Sequence, residues 1–180
     1  EGTFPFGACV CVSLITQGTS PFIATLASFG AGLLTGFLTG ILYTKGKIPV
    51  LLAGILVMTG IYSINLRVLG KATVGLLNQN TLLNTGMLRE LPNSFPSVTL
   101  GLILLTLLIL LLALFLNTDL GQAFIATGDN KLMARSLGIN TDNMEILGLM
   151  ISNGLIGLCG GLIAQNDGYA DVNMGVGTIV

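Results

Sequence analysis

With 180 residues, 52% of them hydrophobic and only 8% charged, the chain is not a soluble globular domain, where about a quarter would be charged. A mean hydropathy of +0.89 and a net charge of −1, with no basic cluster, argue against nucleic acid as a partner. Apolar runs of about 20 residues point instead to an all-α, polytopic transmembrane bundle in contact with membrane lipid.

Taken in chain order, residues 4–16 are a short apolar stretch, expected to belong to a span whose start lies before Glu1. Residues 22–42, 50–66, 99–116 and 146–165 carry no charged side chain. As helices they would rise roughly 25 to 32 Å, close to the hydrocarbon thickness of a bilayer. The stretch 174–180 is expected to begin a further span, which gives five to six spans in one transmembrane domain over 1–180. Both ends fall within apolar sequence, so the chain is expected to be a fragment of a longer protein.

The links between spans fix the parity of the topology. Lys45 and Lys47 lie in one short link, and Lys131 and Arg135 lie in the segment 117–143. Two spans separate these basic links, so they lie on one side, and the excess of Lys and Arg there points to the cytoplasm. The loop 67–98 then faces outward, with Arg67, Lys71 and Arg89 available to pair with carboxylates of an external protein. Its leucines suggest a short helix lying along the membrane surface.

Small and polar residues mark candidate interfaces. Gly32, Gly36 and Gly40 lie four apart on one helix face, and Gly157 and Gly161 repeat the pattern in the last span, near Gly154 and Gly160. Such rows let helix backbones approach closely, as a fixed packing seam or as one that slides. Ser28, Thr35, Thr39, Thr59, Ser63, Asn65, Ser152 and Asn153 are the uncharged polar residues within spans. They serve equally as interhelical hydrogen-bond partners or as the lining of a path. Ser63, Asn65 and Asn153 are the candidates for a translocation pathway, the two asparagines being the costlier to bury.

Several chemistries lack their residues. There is no histidine, the three cysteines (Cys9, Cys11, Cys159) sit in apolar runs as expected for small buried residues, and no metal site is expected. No G-x-x-x-x-G-K-[ST] phosphate loop occurs, and no charged residue sits mid-span. The chain is therefore expected not to be an enzyme. Energy for any transport would come from a partner, because ion-coupled carriers usually need an intramembrane carboxylate. An ion-coupled carrier and a membrane scaffold remain the readings from other classes.

One segment combines most of the charge with helix punctuation. In "ATGDNKLMARSLGIN", Asp129 or Asn130 can cap a helix, Arg135 complements its C-terminal dipole, and Gly138 can take the left-handed conformation that ends it. The result is one helix of about two turns. It is too short to stand alone in water, and it carries Leu132, Met133 and Leu137 as apolar knobs for docking.

This segment carries a resemblance. "TDLGQAFIATGDNKLMARSLGIN" resembles the cytoplasmic loop of bacterial ABC importer permeases of the branched-chain amino acid and ribose type. That loop reads T-x-L-G-x-x-x-x-A-x-G-x-N-x-x-A-A-x-x-x-G-I-N, matched here by Leu120, Gly121, Ala126, Gly128, Asn130, Ala134, Gly138, Ile139 and Asn140. Asp129 stands where Glu is common, and Met133 where a small residue is usual. "EGTFPFGACV" and "TKGKIPVLLAGILVM" also resemble stretches of these permeases, and "GGLIAQNDGYADVNMGVGTIV" is similar to those for tryptophan or tyrosine.

The resemblance implies a subunit of a multi-pass importer in the bacterial plasma membrane, working as a pair with a second permease subunit. Its substrate would be an amino acid of the aromatic class, with a sugar or nucleoside as the alternative. No cofactor would bind this chain, and ATP and Mg²⁺ would sit on separate ATPase subunits. Residues 130–137 would be the coupling helix seated on the ATPase, with Asp129, Asn130, Met133, Arg135 and Gly138 at that contact. An extracytoplasmic solute-binding protein would dock on the outer loops.

Overall fold

The computed structural model describes residues 2–76, 79, 81, 82 and 95–175, with side chains from residue 98 onward in the last of these. The helices are α1 (Thr3–Thr16), α2 (Pro21–Thr44), α3 (Val50–Leu69), α4 (Phe95–Leu116), α5 (Asp119–Asp129), α6 (Lys131–Ser136) and α7 (Thr141–Asp167). Two three-residue strands, β1 (Thr73–Gly75) and β2 (Tyr169–Asp171), complete the described elements. The protein is a polytopic helical membrane protein. Among the described residues α2, α3, α4 and α7 are long and apolar enough to cross a membrane, whereas α1 has 14 residues and covers about two thirds of that depth.

Each span runs past its charge-free stretch. Pro21 opens α2, where its missing N–H costs nothing, and Gly70 ends α3 with φ 70°. Helix α4 begins at Phe95, four residues before the expected start. Helix α7 begins at Thr141, so Asp142 and Glu145 occupy its first turns. The charged residues stay at helix ends, where water or headgroups can reach them. Residues 176–180, expected to begin a further span, lie outside the described residues. So do Arg89 and most of the segment expected to form a surface helix.

The glycine rows of α2 and α7 form one seam. A methyl added at Gly32 or Gly36 would be driven into the carbonyl oxygen of Asn153 or Leu149, and one at Gly40 would press on Ile146. From the other side, Gly157 packs against Gly32 and the Ser28 carbonyl, and Gly161 against the Ser28 side chain. Helices α2 and α7 are therefore antiparallel and in backbone contact. Helix α1 runs parallel to α7 on the seam's second side: Thr3 meets Asn153, Gly7 meets Gly157, and Cys11 meets Gln165. With lipid tails as apolar as leucine, such close packing is what holds these helices together.

A buried polar node ties this trio at one end. Gln165 Nε2 donates to Thr25 Oγ1 at 2.8 Å and to Cys11 Sγ at 3.2 Å, while its Oε1 accepts from the Leu82 N–H at 3.1 Å. At the same end β1 pairs antiparallel with β2 in the register Thr73↔Asp171, Val74↔Ala170 and Gly75↔Tyr169. This ribbon clasps the chain after α3 to the chain after α7.

Helix α4 stands apart from that trio. It packs on α5, and none of its side chains from Val98 to Leu116 is buried. A helix apolar on all sides suits lipid contact. Cys9 and Cys11 are buried as expected, but Cys159 is exposed on the side of α7 that faces α4, because α4 leaves a groove there.

Candidate functional site

The segment 117–143 holds two helices rather than the single one expected. Thr118 caps α5, its Oγ1 accepting from the Gly121 N–H at 3.2 Å, and Gly121 lets that helix turn sharply against the end of α4. Asp129 is the last residue of α5, so the cap of the next helix is Asn130 alone. Its Oδ1 accepts from the Met133 N–H at 3.0 Å. Gly138, at φ 85°, closes α6 by a bond from the Ile139 N–H to the Ala134 carbonyl at 3.1 Å, a Schellman closure. Asn140 then caps α7 through the Asn143 N–H at 3.3 Å.

Six residues of helix are unstable alone, and tertiary contacts fix α6 in place. Ala134 is buried beneath it. Lys131 Nζ contacts both oxygens of Glu145 at 2.8 and 2.9 Å and lies 5.9 Å above the Tyr43 ring. Arg135 pairs with Asp142 at 3.0 Å. The hydrogen bond to Glu145 holds the Lys131 ammonium above its ordinary pKa, so Lys131 stays charged throughout the neutral range. Both pairs are solvent-accessible and contribute at most about 1 kcal/mol each, so they set orientation more than stability. Pinned this way, α6 turns Leu132 (81% exposed), Met133 (61%) and Leu137 (67%) away from the chain.

The contact between Lys131 and Tyr43 also decides the parity of the topology. Lys47, Lys131, Asp142 and Glu145 line one cleft of about 300 Å³, so the two basic links lie at the same end of the bundle. Arg67, in the last turn of α3, and Lys71 are both exposed at the opposite, ribbon end.

Two adjoining cavities run along α3. The first, of about 380 Å³, is lined by Thr3, Thr39, Gly54, Met58, Leu149 and Asn153, among others. Thr3 Oγ1 donates to Asn153 Oδ1 at 2.7 Å, Asn153 Nδ2 donates to the Leu149 carbonyl at 2.9 Å, and Thr35 Oγ1 lies 3.1 Å from Thr3 Oγ1. The second, of about 210 Å³, shares Gly2 and Met58 with the first and extends toward the ribbon between Pro5, Tyr62, Asn65 and Val172. Asn65 and Asn153 therefore line neighbouring cavities. Ser63 does not: it faces outward on α3, lines neither, and is exposed. Thr3 and Gln165 are polar nodes that sequence reasoning passed over, and each lies at the edge of an apolar run, where polarity marks a boundary as readily as a contact.

Comparison with known proteins matches residues 1–180 to the family described as branched-chain amino acid transport system / permease component. The chain belongs to this permease family. It is 45% identical over 180 residues to the tyrosine transport system permease protein of Clostridioides difficile (strain R20291), covering 100% of this chain and 58% of that protein. It is 33% identical over 177 residues to the uncharacterized protein RP368 of Rickettsia prowazekii (strain Madrid E), covering 98% and 60%. The autoinducer 2 import system permease protein LsrC of Escherichia coli (strain K12 / DH10B) is 29% identical over 175 residues, covering 91% and 46%. The chain thus spans about half to three fifths of the length of these relatives. No solved structure gives a significant match. Membership makes the chain part of a permease component, and among the described residues α2, α3, α4 and α7 are the helices long and apolar enough to be its membrane spans.

Proposed function

We propose that the chain is the membrane-spanning part of a permease subunit that imports an amino acid of the aromatic class, driven by ATP hydrolysis on separate ATPase subunits. ATP and Mg²⁺ bind those subunits. A second permease subunit completes the pathway, and an extracytoplasmic binding protein delivers solute near Arg67, Lys71 and Arg89. The membrane is the bacterial plasma membrane, with the α6 end in the cytoplasm, as the lysines and arginines of the basic links favour.

The observation that carries this reading is the build of α6. Asn130 and Gly138 define it, Lys131 and Arg135 bolt it to α7, and three apolar side chains are left outward with no described residue covering them. A helix held that firmly and exposed that far suits a protein partner. Motion of an ATPase seated there passes into α7 and across the glycine seam to α2 and the cavities beside α3. The tyrosine permease of C. difficile supports the aromatic class of cargo. The autoinducer 2 permeases support a second reading, another small polar solute, at lower identity.

Uptake by the assembled importer in proteoliposomes tests the proposal. Arg135→Glu reverses one ion pair with Asp142, and Gly138→Pro forces a residue fixed near φ −65° into a position at φ 85°. Each variant abolishes uptake while docking of the binding protein persists. Normal uptake by both variants would remove α6 from the coupling role.

A further inference from the structure

The second cavity contains a buried polar atom that no described residue binds. Asn65 is 1% exposed, lines this cavity, and its Oδ1 accepts no hydrogen bond from any described residue. A buried, unpaired amide oxygen costs stability, and most such atoms in folded proteins are satisfied. Most of the other walls are apolar, with Pro5 from α1, Met58 and Tyr62 from α3 and Val172 after β2, and Asn173 is a second amide at the edge. Thr59 turns its hydroxyl back to the Leu56 carbonyl at 2.9 Å and so offers no donor to Asn65. No charged residue lines the space. Its volume of about 210 Å³ is smaller than the ~300–1,000 Å³ of pockets for drug-sized ligands.

From this geometry we infer that the cavity is a transit subsite for the solute, in which Asn65 Oδ1 accepts a hydrogen bond from an N–H or O–H of an aromatic amino acid. The inference rests on the import reading above. The ring lies against Met58, Pro5 and Tyr62, and the donor, either the ammonium or a ring hydroxyl, meets Asn65. Because the walls carry no charge, the hold is weak. Conduction requires this, since a site on a route must release what it accepts. The adjoining cavity at Thr3 and Asn153 offers the next polar groups toward the α6 end.

The test is Asn65→Leu, which removes the acceptor while keeping the same branched heavy-atom shape, beside Asn65→Asp, which keeps an acceptor in either protonation state. Both are reconstituted as the complete importer with its ATPase and loaded binding protein. Uptake of L-tyrosine and of L-phenylalanine is measured together with ATP hydrolysis. Asn65→Leu lowers uptake by about tenfold, the loss of one hydrogen bond to the passing solute, and raises the ATP consumed per solute imported. Its melting temperature holds or rises, because an unpaired buried acceptor has gone, whereas a merely structural asparagine would lose stability. Asn65→Asp retains at least half of the uptake. A fall for tyrosine alone assigns the donor to the ring hydroxyl, and a fall for both assigns it to the ammonium. Wild-type import with an unchanged ATP-to-solute ratio in Asn65→Leu overturns the subsite and leaves the import reading standing. Failure of the wild type to import either amino acid overturns both.

Discussion

Alanine at Gly36 and alanine at Gly30 are the same substitution on the same helix, and the structure gives them opposite signs. At Gly36 the new methyl is forced into the Leu149 carbonyl and the Met150 backbone, which cannot swing aside as a side chain would. Overpacking of this kind costs about 1–3 kcal/mol. Against it stands the helix preference of alanine over glycine, about 1 kcal/mol at most, which leaves a net loss of up to about 2 kcal/mol. At Gly30 an added Cβ meets nothing within 4 Å, so only the favourable part survives, about 0.5–1 kcal/mol. For a chain of this size 1 kcal/mol moves a melting temperature by about 2–4 °C, so the two variants separate by up to roughly 12 °C. Thermal unfolding of the detergent-purified protein, followed by circular dichroism, reads the difference directly. Equal melting temperatures for the two variants, or a more stable Gly36→Ala, would refute the backbone-contact seam.

Two further predictions concern α6. Asn130→Ala removes the single side-chain cap and costs about 0.5–2 kcal/mol, seen as faster amide hydrogen exchange across Lys131–Ser136 with the transmembrane spans unaffected. Lys131→Glu places two carboxylates together and lowers uptake, and Glu145→Lys in the same chain restores it. Global stability changes by less than about 1 kcal/mol in either, as expected of a solvent-accessible pair. A double variant no better than the single one would show that the pair does not orient the helix.

The sequence disclosed the spans because hydrocarbon leaves a backbone no partner but itself, so any sufficiently long apolar run must be helical. It also disclosed the caps at Asn130 and Gly138, which are local chemistry. The second helix of the link was hidden: α5 is short and of mixed polarity, and its clearest sign, Thr118 three residues before Gly121, reads equally well as a turn. The three-residue strands gave no periodicity to read. The candidate pathway residues illustrate a different limit. Ser63 and Asn65 are two apart, so a helix cannot turn both to one face. Met58, Tyr62 and Asn65, at spacings of four and three, do share one. The pattern could have separated the two candidates, but only packing against α1 shows which face of α3 is the inner one.

The glycine rows were legible as close-packing surfaces, but not as partners of each other. That pairing depends on α2 and α7 being antiparallel neighbours although about a hundred residues apart in sequence. It matters for function because it puts α7 at the centre of the described bundle, touching α1 and α2 at once.

Helix α7 is 27 residues long, about 40 Å from end to end. Its first turns hold α6 through Asp142 and Glu145, and its last residue leads within two positions into the strand that clasps the chain after α3. One unbroken rod therefore has a handle on each face of the membrane. Under the import reading proposed above, a displacement along its axis at one end would arrive at the other without any relay of side chains, so events on the two sides of the bilayer would share a single mechanical coordinate.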